Sequence, residues 1–179
     1  MPNPKRILIL GPESTGKSTL ASDLAVHYDE PWVPEFAREY LDLLDREYDY
    51  GDLLRIGKGQ MALEDEKAQA SKKLLFCDTD LRVIQVWSQH KFGEVHPWVL
   101  EELDKRVYDL ILLTDIDLPW EPDPLREHPD LEMRAYFLDK YVDLAAKSGF
   151  PWEKISGSRS QRLEKSIDLI QTHLFNSND

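Results

Sequence analysis

The chain has 179 residues, 41% of them apolar and 31% charged, which is the length of one domain and an ordinary globular composition rather than a disordered one. Its 34 acidic and 22 basic residues leave a net charge of −12, so the Lys/Arg attraction that dominates nucleic-acid affinity is not expected. No apolar run nears the roughly 20 residues of a membrane-spanning helix, and no secretory core precedes the first strand, so a cytoplasmic protein without a membrane partner is expected.

In chain order, LysArgIleLeuIleLeu at 5–10 predicts a strand whose continuous apolarity implies burial on both faces, and a helix follows over 17–28. A short strand at 32–34 leads to helices at 36–45 and 52–72, then to a strand at 73–77. Its Cys77, the single cysteine, is expected to be a buried thiol with no disulfide. Helices at 79–91 and 97–107 and a strand at 109–113 come next. Segment 115–131 then holds four prolines and no helical period; too long for an ordinary connection, it is expected to be a lid or binding loop. A helix at 131–148, a weaker strand at 152–155 and a helix at 159–174 close the chain. Strands alternating with helices predict an α/β three-layer sandwich, a mainly parallel five-stranded sheet with helices on both faces, in one domain spanning 1–179. The five histidines form no i,i+4 pair and no cluster with cysteine, so zinc is not expected.

Gly11-Pro-Glu-Ser-Thr-Gly16-Lys17-Ser18 matches GxxxxGK[ST] directly after a strand and at the opening of a helix, the context a nucleotide-phosphate loop requires. Glycines let backbone N–H groups curl around phosphate oxygens, Lys17 supplies a mobile cation, and the Ser18 hydroxyl suits Mg²⁺. Asp78, at the end of the third strand, is the candidate carboxylate for that metal. Asp80 is expected to project beside it toward an acceptor, unless it or Thr79 only caps the next helix. Glu35 and Arg38, three apart near the end of the second strand, would share one helix face, an acid to accept a hydroxyl proton and a cation to bind phosphate or orient that acid. Glu35 and Asp80 are rival candidates for the base. Arg126 in the proline-rich segment, followed by Arg134, suits a lid that neutralises transition-state charge. Trp87, Trp98 and Trp120 offer aromatic faces for an acceptor ring, or else pack in the core.

The octet is similar to the phosphate loop of RecA recombinases, but the other segments point elsewhere. GlyProGluSerThrGlyLysSerThrLeu at 11–20, GluPheAlaArgGluTyr at 35–40, TyrGlyAspLeuLeuArgIleGlyLysGlyGln at 50–60, AspThrAsp at 78–80, GluValHisProTrp at 94–98, ProTrpGluProAspProLeuArg at 119–126 and ArgSerGlnArg at 159–162 together resemble the ribosylnicotinamide kinase domain of the NadR family. The resemblance implies a P-loop nucleoside-kinase fold that transfers the γ-phosphate of ATP to the ribose 5'-hydroxyl of nicotinamide riboside. It implies ATP contacts at Gly11, Glu13, Ser14, Thr15, Gly16, Lys17, Ser18 and Thr19, metal near Ser18 and Asp78, and a nucleobase-side loop near Arg159 and Arg162. The acceptor site would gather Glu35, Arg38, Gln60, Asp78 and Asp80, under a lid carrying Arg126. Family members place an adenylyltransferase domain before the kinase, whereas Met1 lies four residues from the first strand here, so that activity is not expected of this chain. A kinase of another nucleoside and a nucleotide-binding ATPase remain the alternatives.

Overall fold

Three apolar runs form the middle of a five-stranded, all-parallel sheet, and their lack of polar alternation follows from being covered on both faces. The computed structural model describes residues 3–176. Strand β1 (Lys5–Leu10) lies between β3 (Leu74–Asp78) and β4 (Leu110–Thr114); β2 (Trp32–Val33) and β5 (Trp152–Ile155) are the edges, giving the order β2-β3-β1-β4-β5. The register sets Ile9 beside Asp78 and Leu10 beside Leu113, so the ends of the three central strands come out level.

Alternate side chains feed two cores. Ile7 and Ile9 with Leu74, Phe76, Leu110 and Leu112 meet helix α1 (Lys17–Tyr28) and α7 (Arg159–Ile170) on one face. Leu8, Leu10, Leu75, Cys77, Ile111 and Leu113 meet α4 (Leu81–Phe92) and α6 (Leu131–Lys147) on the other. Each such aliphatic side chain, fully withdrawn from water, contributes about 1.5–3 kcal/mol. A third cluster joins α3 (Tyr50–Ala70), α4 and α5 (Pro97–Lys105) through Leu53, Ile56, Met61, Leu81, Ile84 and Val99, and builds a wall beside the strand ends.

The predicted elements are present with shifted ends, and the shifts have local causes. Helix α3 starts at Tyr50 rather than 52 because Asp49 and Asp52 form a reciprocal capping box around Gly51. Helix α2 (Phe36–Asp42) stops short of 45, and α4 starts at Leu81 because the Asp80 side chain caps it. The last helix widens into a π-helical turn, Gln171–Phe175. Between β4 and α6, residues 115–130 form neither strand nor helix, as the four prolines predict. Among the described residues no helix is long and apolar enough to cross a membrane.

Candidate active site

The phosphate loop runs from the end of β1 into α1, and its shape depends on two glycines. Gly16 takes a left-handed φ of 77° just before α1. Gly11, at φ 149°, lies so close to β4 that a Cβ there would fall 2.3 Å from Thr114 Oγ1. The Thr15 hydroxyl donates to the Pro12 carbonyl at 2.7 Å and meets Thr114 Oγ1 at 2.7 Å, pinning the loop to the sheet. Lys17 Nζ donates to the Pro12 carbonyl at 2.8 Å, across the loop and within reach of anything the loop holds.

Arg162 works behind the loop. It is 3% exposed and donates to the carbonyls of Thr15 (2.6 Å), Gly157 (2.9 Å) and Asp115 (3.2 Å) while pairing with Asp117. Its donors are thus taken by protein, and it is a strut joining the loop, the lid root and the start of α7, while its side chain lines the same cavity as Arg159. Arg159 stays at the rim, where its Nε and Nη2 reach the Asp23 carboxylate at 2.8 and 2.7 Å.

Ser18 Oγ donates to Asp78 Oδ2 at 2.5 Å, while Asp78 Oδ1 is buried without a hydrogen-bond partner. A fully buried carboxylate with one bare oxygen, beside a hydroxyl at a phosphate loop, fits a nucleotide-borne Mg²⁺, which needs only one or two protein ligands. Burial, and then the nearby Glu35 carboxylate, push Asp78 up to about 6, against the pull of Lys17 and the Ser18 hydrogen bond. The sign is fixed by linkage: the folded state holds this proton more tightly than the unfolded one, so stability falls as pH rises through about 4 to 6 and stays lower above. Asp78→Asn is therefore expected to raise the melting temperature at pH 8 relative to the parent, with less gain at pH 4, while removing metal-dependent nucleotide turnover. Equal melting shifts at both pH values would contradict the buried-charge account.

The expected acceptor residues Asp80, Trp98, Trp120 and Gln60 lie outside the cavity lining. Asp80 does not project beside Asp78: Thr79 between them adopts a left-handed φ of 71°, which breaks strand alternation and turns Asp80 inward. There it is 1% exposed, accepts the Arg82 amide at 3.0 Å and pairs with the Arg82 guanidinium, so it is a buried helix cap and not a base facing the cavity. Trp98 packs in the helical wall with the Lys58 ammonium 5.5 Å from its ring, and Trp120 lies on the lid with the Arg134 guanidinium 5.8 Å away; neither lines the cavity. Gln60, 2% exposed, acts one step back: its oxygen accepts the Phe36 amide at 2.7 Å and its nitrogen donates to the Pro34 carbonyl at 3.3 Å, clamping the turn that carries Glu35.

What remains converges on one cavity of about 520 Å³. The phosphate loop, Asp23 and Arg159 line one end. Leu41, Leu53, Ile56, Val83 and Ile84 line the other, with the rings of Tyr48, Trp87 and Tyr141. Glu35 and Arg38 also line it, and the Arg38 guanidinium reaches across to Asp123 of the lid at 2.9 Å rather than pairing with Glu35. Arg126 lines it from the lid, with Nη1 3.4 Å from Ser14 Oγ. The sequence reading missed Tyr48, Tyr141, Asp23 and Glu127. Tyr141 looks like one more apolar position on α6, and Tyr48 sits in a loop with no motif around it; nothing in their spacing marks a cavity wall.

A family model described as an AAA domain matches residues 6–162. The chain belongs to this AAA-domain family. It is similar to the trifunctional NAD biosynthesis/regulator protein NadR of Escherichia coli and of Salmonella typhimurium, at 27% and 32% identity over 93% of this chain. The chain spans 42% of the length of these relatives. The fold of this AAA-domain chain is that of a solved NadR protein in complex with NR, with a TM-score of 0.76 at 24% identity over 95% of this chain and 51% of that one. It is also that of thymidylate kinase from Ehrlichia chaffeensis, with a TM-score of 0.67 at 16% identity over 95% of this chain and all of that one. The three-layer α/β architecture with a parallel five-stranded sheet, expected from the motifs, is the one present.

Proposed function

We propose that this chain is an ATP-dependent small-molecule kinase that phosphorylates the ribose 5'-hydroxyl of nicotinamide riboside. The observation that carries the reading is the single cavity: a phosphate loop at one end, an apolar and aromatic chamber at the other, and the Glu35 carboxylate lining the same space. A recombinase would carry basic surface where this chain has net charge −12. The similarity to the NadR relatives, and to a solved NadR protein in complex with NR, supports nicotinamide riboside as the acceptor.

Phosphoryl transfer needs positioning and charge stabilisation more than covalent chemistry. Lys17 swings from the Pro12 carbonyl to the transferring phosphate, and Arg126 approaches from the lid above Ser14. Ser18 and the bare oxygen of Asp78 would hold a nucleotide-borne Mg²⁺, which would supply charge neutralisation. Glu35 accepts the proton of the acceptor hydroxyl. Gln60 holds the backbone on both sides of Glu35 so that the carboxylate is presented without reorganisation. The rings of Trp87 and Tyr48 give a planar base a flat surface, and a cationic pyridinium a π face.

The deciding experiment is an acceptor panel with ATP and Mg²⁺ that includes nicotinamide riboside, other nucleosides and no acceptor. Phosphorylation of nicotinamide riboside at a kcat/KM well above the rest is expected. Hydrolysis of ATP with no acceptor phosphorylated would make this chain an ATPase, and preference for a different nucleoside would overturn the acceptor while keeping the kinase.

A further inference from the structure

Two side chains of the phosphate loop face the lid rather than the cradle. The Glu13 carboxylate accepts the backbone N–H of Glu127 at 3.1 Å and also that of His128. Ser14 Oγ accepts the backbone N–H of Glu121 at 2.9 Å and the Arg126 guanidinium at 3.4 Å. Arg126 is thus bracketed, held on its C-terminal side by Glu13 and on its N-terminal side by Ser14, while its own Nη1 donates back to the Glu121 carbonyl. Arg134 completes the grip by donating to the carbonyls of Ser14 (3.2 Å) and Leu118 (3.1 Å).

A carboxylate in a phosphate loop would repel phosphate unless its lone pairs were turned away and occupied. Glu13 meets that condition through the lid backbone, and the Lys17 charge also favours its ionised form. The lid has no helix or strand from 115 to 130, so its shape depends on such contacts. We propose that Glu13 is a positioning residue that latches the lid to the phosphate loop and thereby sets Arg126 over the transferring phosphate. The catalytic consequence rests on the kinase reading above, whereas the latch itself does not.

Two measurements separate those layers. The first is the rate at which trypsin cuts the Arg126–Glu127 bond in the folded, nucleotide-free protein, followed by mass spectrometry. Glu13→Ala is expected to speed this cut several-fold with other sites unchanged. Glu13→Gln, which keeps one acceptor oxygen, is expected to fall between, and serves alone where the Ala variant melts early. The second is a double-mutant cycle in kcat. Loss of a charge-assisted latch should lower kcat about tenfold in Glu13→Ala, and little further when Arg126→Ala is added to it or it to Arg126→Ala. An unchanged cleavage rate, or fully additive kcat losses, would overturn the proposal. So would a lower KM for ATP in Glu13→Gln with unchanged cleavage, which would make Glu13 merely a repulsive charge. Full turnover in Arg126→Ala would remove the phosphate role of Arg126 and the catalytic half of the inference, and the cleavage rate would still decide whether Glu13 holds the lid.

Discussion

Lys17→Ala is expected to lower acceptor phosphorylation by about a thousandfold or more, with the melting temperature close to that of the parent. The stability half of the expectation comes from geometry. Lys17 makes one hydrogen bond, to the Pro12 carbonyl, whereas Thr15, Thr114 and Arg162 hold the loop without it. Its cation is therefore dispensable for the fold and indispensable for charge that develops on the transferring phosphate. Steady-state kinetics beside a thermal melt make the test. Turnover within tenfold of the parent from a folded variant would remove the phosphate-grip assignment.

The second large effect distinguishes two carboxylates that look alike in the sequence. Glu35→Gln is expected to reduce kcat by about a hundredfold or more, the range of a positioned general base, while the KM for ATP and the melting temperature move little. Asp80→Asn is expected to do the opposite. Removing one partner from its fully buried pair with Arg82 leaves an uncompensated guanidinium, at a stability loss of about 3–5 kcal/mol. The folded fraction of that variant should still turn over, because Asp80 does not line the cavity. A stable Asp80→Asn protein with a hundredfold lower kcat, beside an active Glu35→Gln, would exchange the two roles.

The Arg6–Glu64–Tyr108 contacts show why the Asp80 region is structural. Arg6 Nη1 donates to Glu64 Oε1 at 2.8 Å, and the Tyr108 hydroxyl donates to Glu64 Oε2 at 2.9 Å. Burial pushes the Asp80 and Glu64 carboxyls up, and their arginine partners oppose that rise.

The parts of this protein that could be read from residue order alone are those governed by neighbours in the chain. GxxxxGKS after an apolar run is a local geometry, because its glycines, its lysine and the helix it opens are contiguous. Unbroken apolar strands at 5–10, 73–77 and 109–113 require a doubly covered sheet, and four prolines in seventeen residues exclude a helix from the lid. Only the tertiary structure decided where distant side chains spend their hydrogen bonds. One left-handed residue turned Asp80 from the cavity, Arg162 was claimed by carbonyls from three other segments, and Gln60 became the clamp for Glu35 across 25 residues of chain. Tyr48 and Tyr141 became walls of the cavity only when α3, α4 and α6 met beside the strand ends. Direction of a side chain depends on backbone turns and on which partner it finds, and both are set by packing between segments that the residue order leaves far apart.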